Sequence, residues 1–276
     1  MTVPPPPSAE PDTLASWLRC PVCAEPLEAV ERLALGCTTG HRFDVNKRGY
    51  VTLLPGGTKF IGDSTAMLDA RDTVLEGGVF APVAAAIASA ARGQRIVDAG
   101  AGTGYYLRAT MGAHLGSRGL ALDLSPAAVA RAVRSSPSIV GVVADTWRPL
   151  PVRTGCCDTV LDVFAPRNLP EFHRILRRDG RLVVVVPRPD HLIELRADGG
   201  MLDVPADKAE DVIVSAQPLF SLLEREHLTH QLWLDTAIRS ALVAMGPSAH
   251  HAMDTSVSAT SATVSVDVLV FQAAAA

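Results

Sequence analysis

The sequence predicts an α/β protein: a parallel sheet whose strands alternate with helices, with a small metal-binding domain on its N-terminal side. Three observations predict it. From about residue 95, short apolar runs end in an acid or a glycine-rich turn and lead into helical segments. That is the rhythm of a parallel sheet that binds ligands at its carboxyl ends. Residues 18–55 hold three of the five cysteines and a histidine, spaced C-x2-C-x13-C-x3-H. Two late apolar segments, 220–234 and 263–271, read as an antiparallel strand pair at the edge of the sheet.

The length of 276 residues suits one large domain with a small appendage, and 48% apolar content supports a core. A net charge of −4 means that a nucleic-acid partner would need a local basic face. No apolar run reaches the ~18 residues of a membrane span. MTVPPPPSAEPD lacks a cationic start and an apolar stretch, so no secretory signal is expected, and residues 1–17 read as an exposed, flexible tail. An odd cysteine count with the adjacent pair Cys156 and Cys157 argues against a disulfide framework. A reducing cytoplasm is the expected compartment, and that pair is read as inert.

Zn²⁺ takes four thiolate or imidazole ligands in a tetrahedron. Cys20 and Cys23 form one knuckle, and Cys37 and His41 the other. Three sulfurs and one nitrogen leave no open position, so the site is structural. The 13 residues between the pairs suffice for a short hairpin. Downstream, Arg42, Lys47 and Arg48 interleave with Tyr50, which suits either RNA contact or an ordinary solvated surface with one packed tyrosine.

In the larger domain, expected over 79–276 after a linker over 56–78, residues 79–91 read as a helix. RIVDA is the first strand, ending by Asp98. Gly100, Gly102 and Gly104 then let a backbone turn approach a ligand closely. Asp98 is read as bracing that turn. GLALD ends at Asp123, placed to hold both hydroxyls of a ribose. VGVVAD ends at Asp145, placed at an adenine edge, and Trp147 is read as packing on the loop that follows. CDTVLDV is a fourth strand, then come a helix and the strand RLVVVVP. Acids at successive strand ends with a glycine loop match class I S-adenosylmethionine methyltransferases, with their Rossmann-like seven-stranded sheet. A dinucleotide-binding oxidoreductase competes, but would prefer G-x-G-x-x-G and a second substrate domain. Charge runs are usually solvated faces. Of the arginines between 167 and 188, Arg167 is the candidate for RNA because it follows the fourth strand at the active edge. Phe164, in the same loop, is placed to stack on a target base. Asp162 lies near that edge, but strand alternation can turn it into the sheet, and no catalytic base is identified.

The zinc knuckle followed by GYVTLLP (49–55), GDSTAMLDARD (62–72), the glycine loop, VFAPRNLPEFHRILR (163–177), VPRPDHLIEL (186–195) and MGPS (245–248) resembles the 23S rRNA guanine-N1 methyltransferases, the tylosin-type macrolide-resistance branch included. The resemblance spans about residues 18 to 250. It implies methylation of guanine N1 in a hairpin loop near the peptide exit tunnel, and zinc on Cys20, Cys23, Cys37 and His41. It implies a methyl donor along Gly100, Gly102 and Thr103 with Asp123 at the ribose, and donor contacts from Phe80, where a tyrosine is common, and from His191. It also implies a homodimer whose zinc domains, here 18–55, help build an RNA cleft. A small-molecule methyltransferase and a non-catalytic RNA-binding protein are the other readings.

Overall fold

The computed structural model describes residues 11–54, 62–197, 203–246 and 259–274. The four consecutive prolines, residues 55–61, the Pro-Ser half of MGPS and the last two alanines lie outside the described residues.

Helix α1 (Pro11–Ala15) opens the described chain. Four strands follow: β1 (Glu28–Glu31), β2 (Ala34–Gly36), β3 (Arg42–Asn46) and β4 (Tyr50–Thr52). Helices α2 (Thr65–Glu76) and α3 (Ala81–Ala90) lead to β5 (Arg95–Ala99), α4 (Tyr105–Ala113), β6 (Arg118–Asp123), α5 (Pro126–Ser135) and β7 (Ile139–Val143). The second half runs β8 (Cys157–Val163), α6 (Leu169–Ile175), β9 (Leu176–Pro187), α7 (Ile193–Ala197), α8 (Lys208–Ala216), β10 (Phe220–Trp233), α9 (Thr236–Ala244) and β11 (Ser261–Ala273).

The strand order is β1-β2-β3-β4-β7-β6-β5-β8-β9-β11-β10. From β7 through β9 the pairs are parallel, and β11 and β10 add the antiparallel hairpin expected from the sequence. These seven strands form the expected sheet. The N-terminal module then extends it, because β4 pairs in parallel with β7, Tyr50 opposite Gly141 and Thr52 opposite Val143. Alternation along each parallel strand fills both faces. Val97, Leu120, Val160 and Val184 pack on one side with α6, α8 and the N-terminal module, while Ile96, Ala121, Leu161 and Val183 pack on the other with α3, α4 and α9. Among the described residues no single helix is long and apolar enough to cross a membrane.

Two expectations are corrected. The tail over 1–17 is ordered from Pro11, because Leu14 and Trp17 are fully buried in the sheet-face core and the Arg95 guanidinium lies 3.8 Å over the indole. The linker over 56–78 contains α2, with Ser64 accepting from Met67 N–H as its N-cap and Met67, Leu68, Val74 and Leu75 buried.

The module is also clasped to the sheet by hydrogen bonds. Arg19 N–H donates to Pro151 O, and Arg153 N–H to Trp17 O. The Arg153 guanidinium reaches Leu18 O and Leu27 O at 3.0 and 2.6 Å. Arg174 donates to Val152 O and Leu150 O, and Glu171 accepts from Arg19, Arg174 and Leu150 N–H. Burial would raise the Glu171 carboxyl. Those donors outweigh it and hold the group below its ordinary value.

Trp17→Ala should lower unfolding free energy by about 3–5 kcal/mol, the usual cost of emptying a buried indole site. Denaturant unfolding checks it. A loss under about 1 kcal/mol would mean that α1 is not part of the folded core.

Candidate functional site: a donor cavity and a metal knuckle

The two knuckles bring Cys20, Cys23, Cys37 and His41 together, their ligand atoms all within 4.8 Å of one another. Ala24 at φ 63° and Gly40 at φ 89° close the two turns. Cys23 Sγ lies 3.6 Å from Cys37 Sγ, which lies 3.4 Å from His41 Nδ1. Bonds of ~2.3 Å to sulfur and ~2.0 Å to nitrogen give tetrahedral edges of roughly 3.8 and 3.5 Å, so the donor set fits Zn²⁺. Val22 N–H donates to Cys20 Sγ, a second layer of support. The Thr39 hydroxyl sits 3.0 Å from both Cys23 Sγ and Cys37 Sγ. It is a neighbour of the site that its spacing in sequence did not announce. β3 runs antiparallel to β4 with Asn46 opposite Tyr50. Its first residue, next to His41, therefore points to the carboxyl edge of the sheet.

The same register sends Lys47 and Arg48 to the amino edge, and Tyr50 is buried against Val129 and Val143. The reading of that stretch as interleaved RNA contacts does not survive. Only Arg42, paired with Glu31 at 3.0 Å, stays on the carboxyl side.

A cavity of about 720 Å³ opens at the carboxyl ends of β5, β6, β8 and β9. Its walls include Phe80, Asp98, Gly100, Gly102, Thr103, Asp123, Phe164 and His191, eight of the residues singled out from sequence. Gly100 has φ 81°, and a Cβ there would lie 2.6 Å from the Ala165 Cβ, so the strand-to-helix turn and the β8 loop meet only over glycine. Gly104, at φ 80°, lets the start of α4 approach Ala132, which a Cβ would meet at 2.7 Å. Asp123 accepts from Gly102 N–H through Oδ2 and from Ser125 N–H through Oδ1, both at 2.8 Å. Each oxygen keeps a lone pair for a hydroxyl donor. Asp98 is buried and its Oδ2 has no partner. Burial first, and the Asp123 charge second, push its carboxyl up to about 7.

Three rings meet in the cavity wall. Phe80 and Phe164 have centroids 5.8 Å apart, and His191 lies 6.0 Å from Phe80 and 5.8 Å from Phe164. Phe164 at φ 54° and Leu192 at φ 52° are non-glycine residues in the left-handed region, and both line the cavity. Strain of this kind clusters at functional sites. His191 Nδ1 accepts from Ser265 N–H at 3.2 Å. The proton of the neutral ring is therefore on Nε2, which makes His191 a hydrogen-bond donor and not a base. Burial lowers its pKa to about 4.

Two predicted placements differ. Asp145 does not line the cavity. Its Oδ1 accepts from Trp147 N–H and its Oδ2 lies 3.5 Å from Arg148 Nε. Trp147 is exposed and does not pack on its loop. Arg167 does not line the cavity, but it follows the loop whose Phe164, Ala165 and Pro166 do. Asp162 is fully buried with both oxygens unpartnered and does not line the cavity, so it does not reach a base bound there. Cys157 is buried and donates to Ile175 O. Arg71, whose guanidinium pairs with Asp63 and donates to Met245 O, and Lys208, at the start of α8, line the cavity and were missed. Arg71 lies within α2 and Lys208 opens α8, so neither stands at a strand end or in the glycine turn.

Asp123→Asn replaces an acceptor by an amide that must face a backbone N–H. Donor affinity should fall about 10- to 100-fold by calorimetry, and unchanged affinity would remove Asp123 from the site. The His191 imidazole takes up a proton in the unfolded chain below its ordinary 6.5, and in the folded chain only near 4. The unfolded state binds more protons in that window, so stability falls as pH drops through it, by up to about 3 kcal/mol. Denaturation across that window should show the slope in the wild type and lose most of it in His191→Gln.

Comparison with known proteins agrees with this geometry. The family profile for the RlmA N-terminal region matches residues 18–60, and a methyltransferase domain profile matches 97–184. A 23S rRNA (guanine(748)-N(1))-methyltransferase of Streptomyces fradiae is 42% identical over 242 residues, covering 85% of this chain and 86% of that one. A putative 23S rRNA (guanine-N(1)-)-methyltransferase of Micromonospora griseorubida is 41% identical over 260 residues, covering 86% and 88%. Among solved structures, the complex of the Haloferax volcanii Trm112 methyltransferase activator with a putative methyltransferase matches with a TM-score of 0.51 at 19% identity, over 77% of this chain and 99% of that one, a likeness of fold. The chain belongs to the 23S rRNA (guanine-N1) methyltransferase family.

Proposed function

We propose that this protein transfers the methyl group of S-adenosylmethionine to N1 of a guanine in a hairpin loop of 23S rRNA. The observation that carries the proposal is the cavity itself. It holds an unpartnered buried carboxylate oxygen on Asp98, a carboxylate at the end of β6 and the Arg71 guanidinium. Those groups suit the ammonium, ribose hydroxyls and carboxylate of the donor. Gly100, Gly102 and Thr103 would line its length, with Phe80 and His191 toward the reacting end. In the relatives' names the methyl acceptor is a guanine of 23S rRNA.

When bound, the donor supplies a methyl on a sulfonium, an electrophile that needs alignment more than activation. Phe80, Phe164 and the apolar wall of Leu75, Val163 and Leu192 exclude water from the transfer path. Guanine N1 is hidden in a base pair, so the target must be unpaired or flipped out, and Phe164 is the ring placed to stack on it. The N1 proton must leave as the N–C bond forms. His191 Nδ1 is occupied by Ser265 N–H and Nε2 carries the ring proton, so the N1 proton passes to bulk water rather than to this ring. Burial and then the nearby Arg167 make Lys208 easier to deprotonate than a free lysine, while Asp162 opposes that shift. Lys208, which lines the cavity, supplies positive charge where the guanine O6 gains negative charge, with Arg167 nearby.

Zinc on Cys20, Cys23, Cys37 and His41 would hold an RNA-recognition module, residues 18–55, at the same sheet edge as the cavity. The chain would work as a homodimer in the cytoplasm, so that two modules face one RNA.

Incubation with labelled donor and unmodified 23S rRNA, followed by primer extension, tests the reaction. One donor-dependent stop at a hairpin guanine is expected. Bound donor with no label in RNA would point instead to a small-molecule acceptor. Cys37→Ser should keep donor affinity within about threefold, since no described cavity residue comes from the module, and cut rRNA methylation at least about 100-fold. Full-rate methylation would sink this division of labour.

A further inference from the structure

Trp147 is 69% exposed, unusual for an indole. It does not sit on a loose loop. Its N–H donates to Asp145 Oδ1 at 3.0 Å, and Arg148 N–H donates to Asp145 O at 3.1 Å, which makes a hydrogen-bonded turn with Trp147 near its apex. Asp145 is itself buried. The Asn168 side-chain amide then reaches across and donates to Thr146 O at 2.8 Å and Arg148 O at 3.0 Å. The carbonyls on both sides of Trp147 are therefore held by the loop that carries Phe164 and Arg167. Among the described residues, the indole meets no other ring.

The position matters as much as the rigidity. The turn follows β7 at the carboxyl edge. On one side of β7 lie β4 and β3, leading to the zinc knuckle. On the other lie β6, β5 and β8, whose ends form the cavity. From β3 to β5 is four strand spacings, roughly 19 Å. The strand order therefore places the turn that carries this indole between the knuckle and the cavity along the carboxyl edge.

We propose that Trp147 is a stacking platform for an unpaired base that neighbours the target guanine. It would hold the RNA strand between the zinc module and the Phe164 loop. The proposal rests on the rRNA reading above. A fixed indole loses little freedom on binding and offers a face that any base accepts. The surroundings complement RNA in charge. Arg148, its side chain 56% exposed, and Arg167 flank the turn and suit phosphates on either side of a stacked base.

Steady-state methylation of a 23S rRNA hairpin transcript by wild type, Trp147→Ala, Trp147→Phe and Arg148→Gln tests the assignment, with donor affinity, unfolding midpoint and sedimentation measured on each. Trp147→Ala should raise KM for RNA about tenfold or more, with donor affinity, midpoint and mass unchanged. Trp147→Phe should recover most of the loss. The salt dependence of RNA binding should keep its slope in Trp147→Ala, and its slope should fall by about one in Arg148→Gln. An unchanged KM in Trp147→Ala, beside an active wild type, overturns the platform and leaves the rRNA reading standing. A raised KM that comes with a lower sedimenting mass overturns it in favour of a contact between two copies of the chain. A wild type that binds donor but never labels RNA removes the rRNA reading, and the platform with it.

Discussion

The structure depends on the seam between the N-terminal module and the sheet. A parallel pair between β4 and β7 is short, three residues on each strand. On its own it would be a weak join. What makes it rigid is the set of backbone carbonyls from 18 to 27 and 150 to 152 that Arg19, Arg153 and Arg174 occupy, with Glu171 paired to two of the three guanidiniums. Guanidinium forks suit this use because they satisfy several buried acceptors at once without losing their charge. Trp17 and Leu18 then complete a core that is continuous from the metal knuckle to α6. The module is therefore not a bead on a string. Its orientation relative to the cavity is set before any RNA arrives.

That orientation explains how a small metal site contributes to a reaction some distance away. An ion held by four ligands has no open position and performs no chemistry. Its contribution is to stiffen two knuckles so that a surface at the carboxyl edge keeps one shape. The cavity shows the complementary arrangement, in which chemistry is concentrated and backbone strain is tolerated. Phe164 and Leu192 hold left-handed conformations beside the ring cluster. Such strain persists only where surrounding hydrogen bonds over-determine the backbone, as those of Phe164 N–H to Val185 O and Leu192 N–H to Thr263 O do here.

Much of this was legible in the chain. Ligand spacing, a glycine turn after an acid-tipped strand, and alternation along each strand are local patterns, and local patterns report local geometry. Cys20, Cys23, Cys37 and His41, and likewise Gly100, Gly102 and Asp123, therefore converge as expected. Tyr50, Trp147 and Asp145 misled for one shared reason. Whether an aromatic ring or a carboxylate faces core, ligand or solvent depends on partners far away in sequence. Tyr50 meets Val129 on α5, Trp147 is held out by Asn168, and Asp145 spends its oxygens on its own turn. Arg71 and Lys208 were invisible for the same reason, since no pattern around either marks it as a cavity wall.

The sequence by itself determined the alternation of strands and helices, the donor set for zinc, the glycine turn and the acid beside it. Each of these follows from spacing over a few residues, where bond geometry leaves little choice. Only the tertiary structure decided which edge of the sheet the knuckle occupies, that helix α1 is part of the core, that His191 accepts through Nδ1 and so carries its proton on Nε2, and that the turn bearing Trp147 lies between the knuckle and the cavity along that edge. Those outcomes depend on register between β3, β4 and β7 and on hydrogen bonds such as His191 to Ser265 and Asn168 to Thr146. Such contacts join residues that are brought together only when the whole sheet has formed.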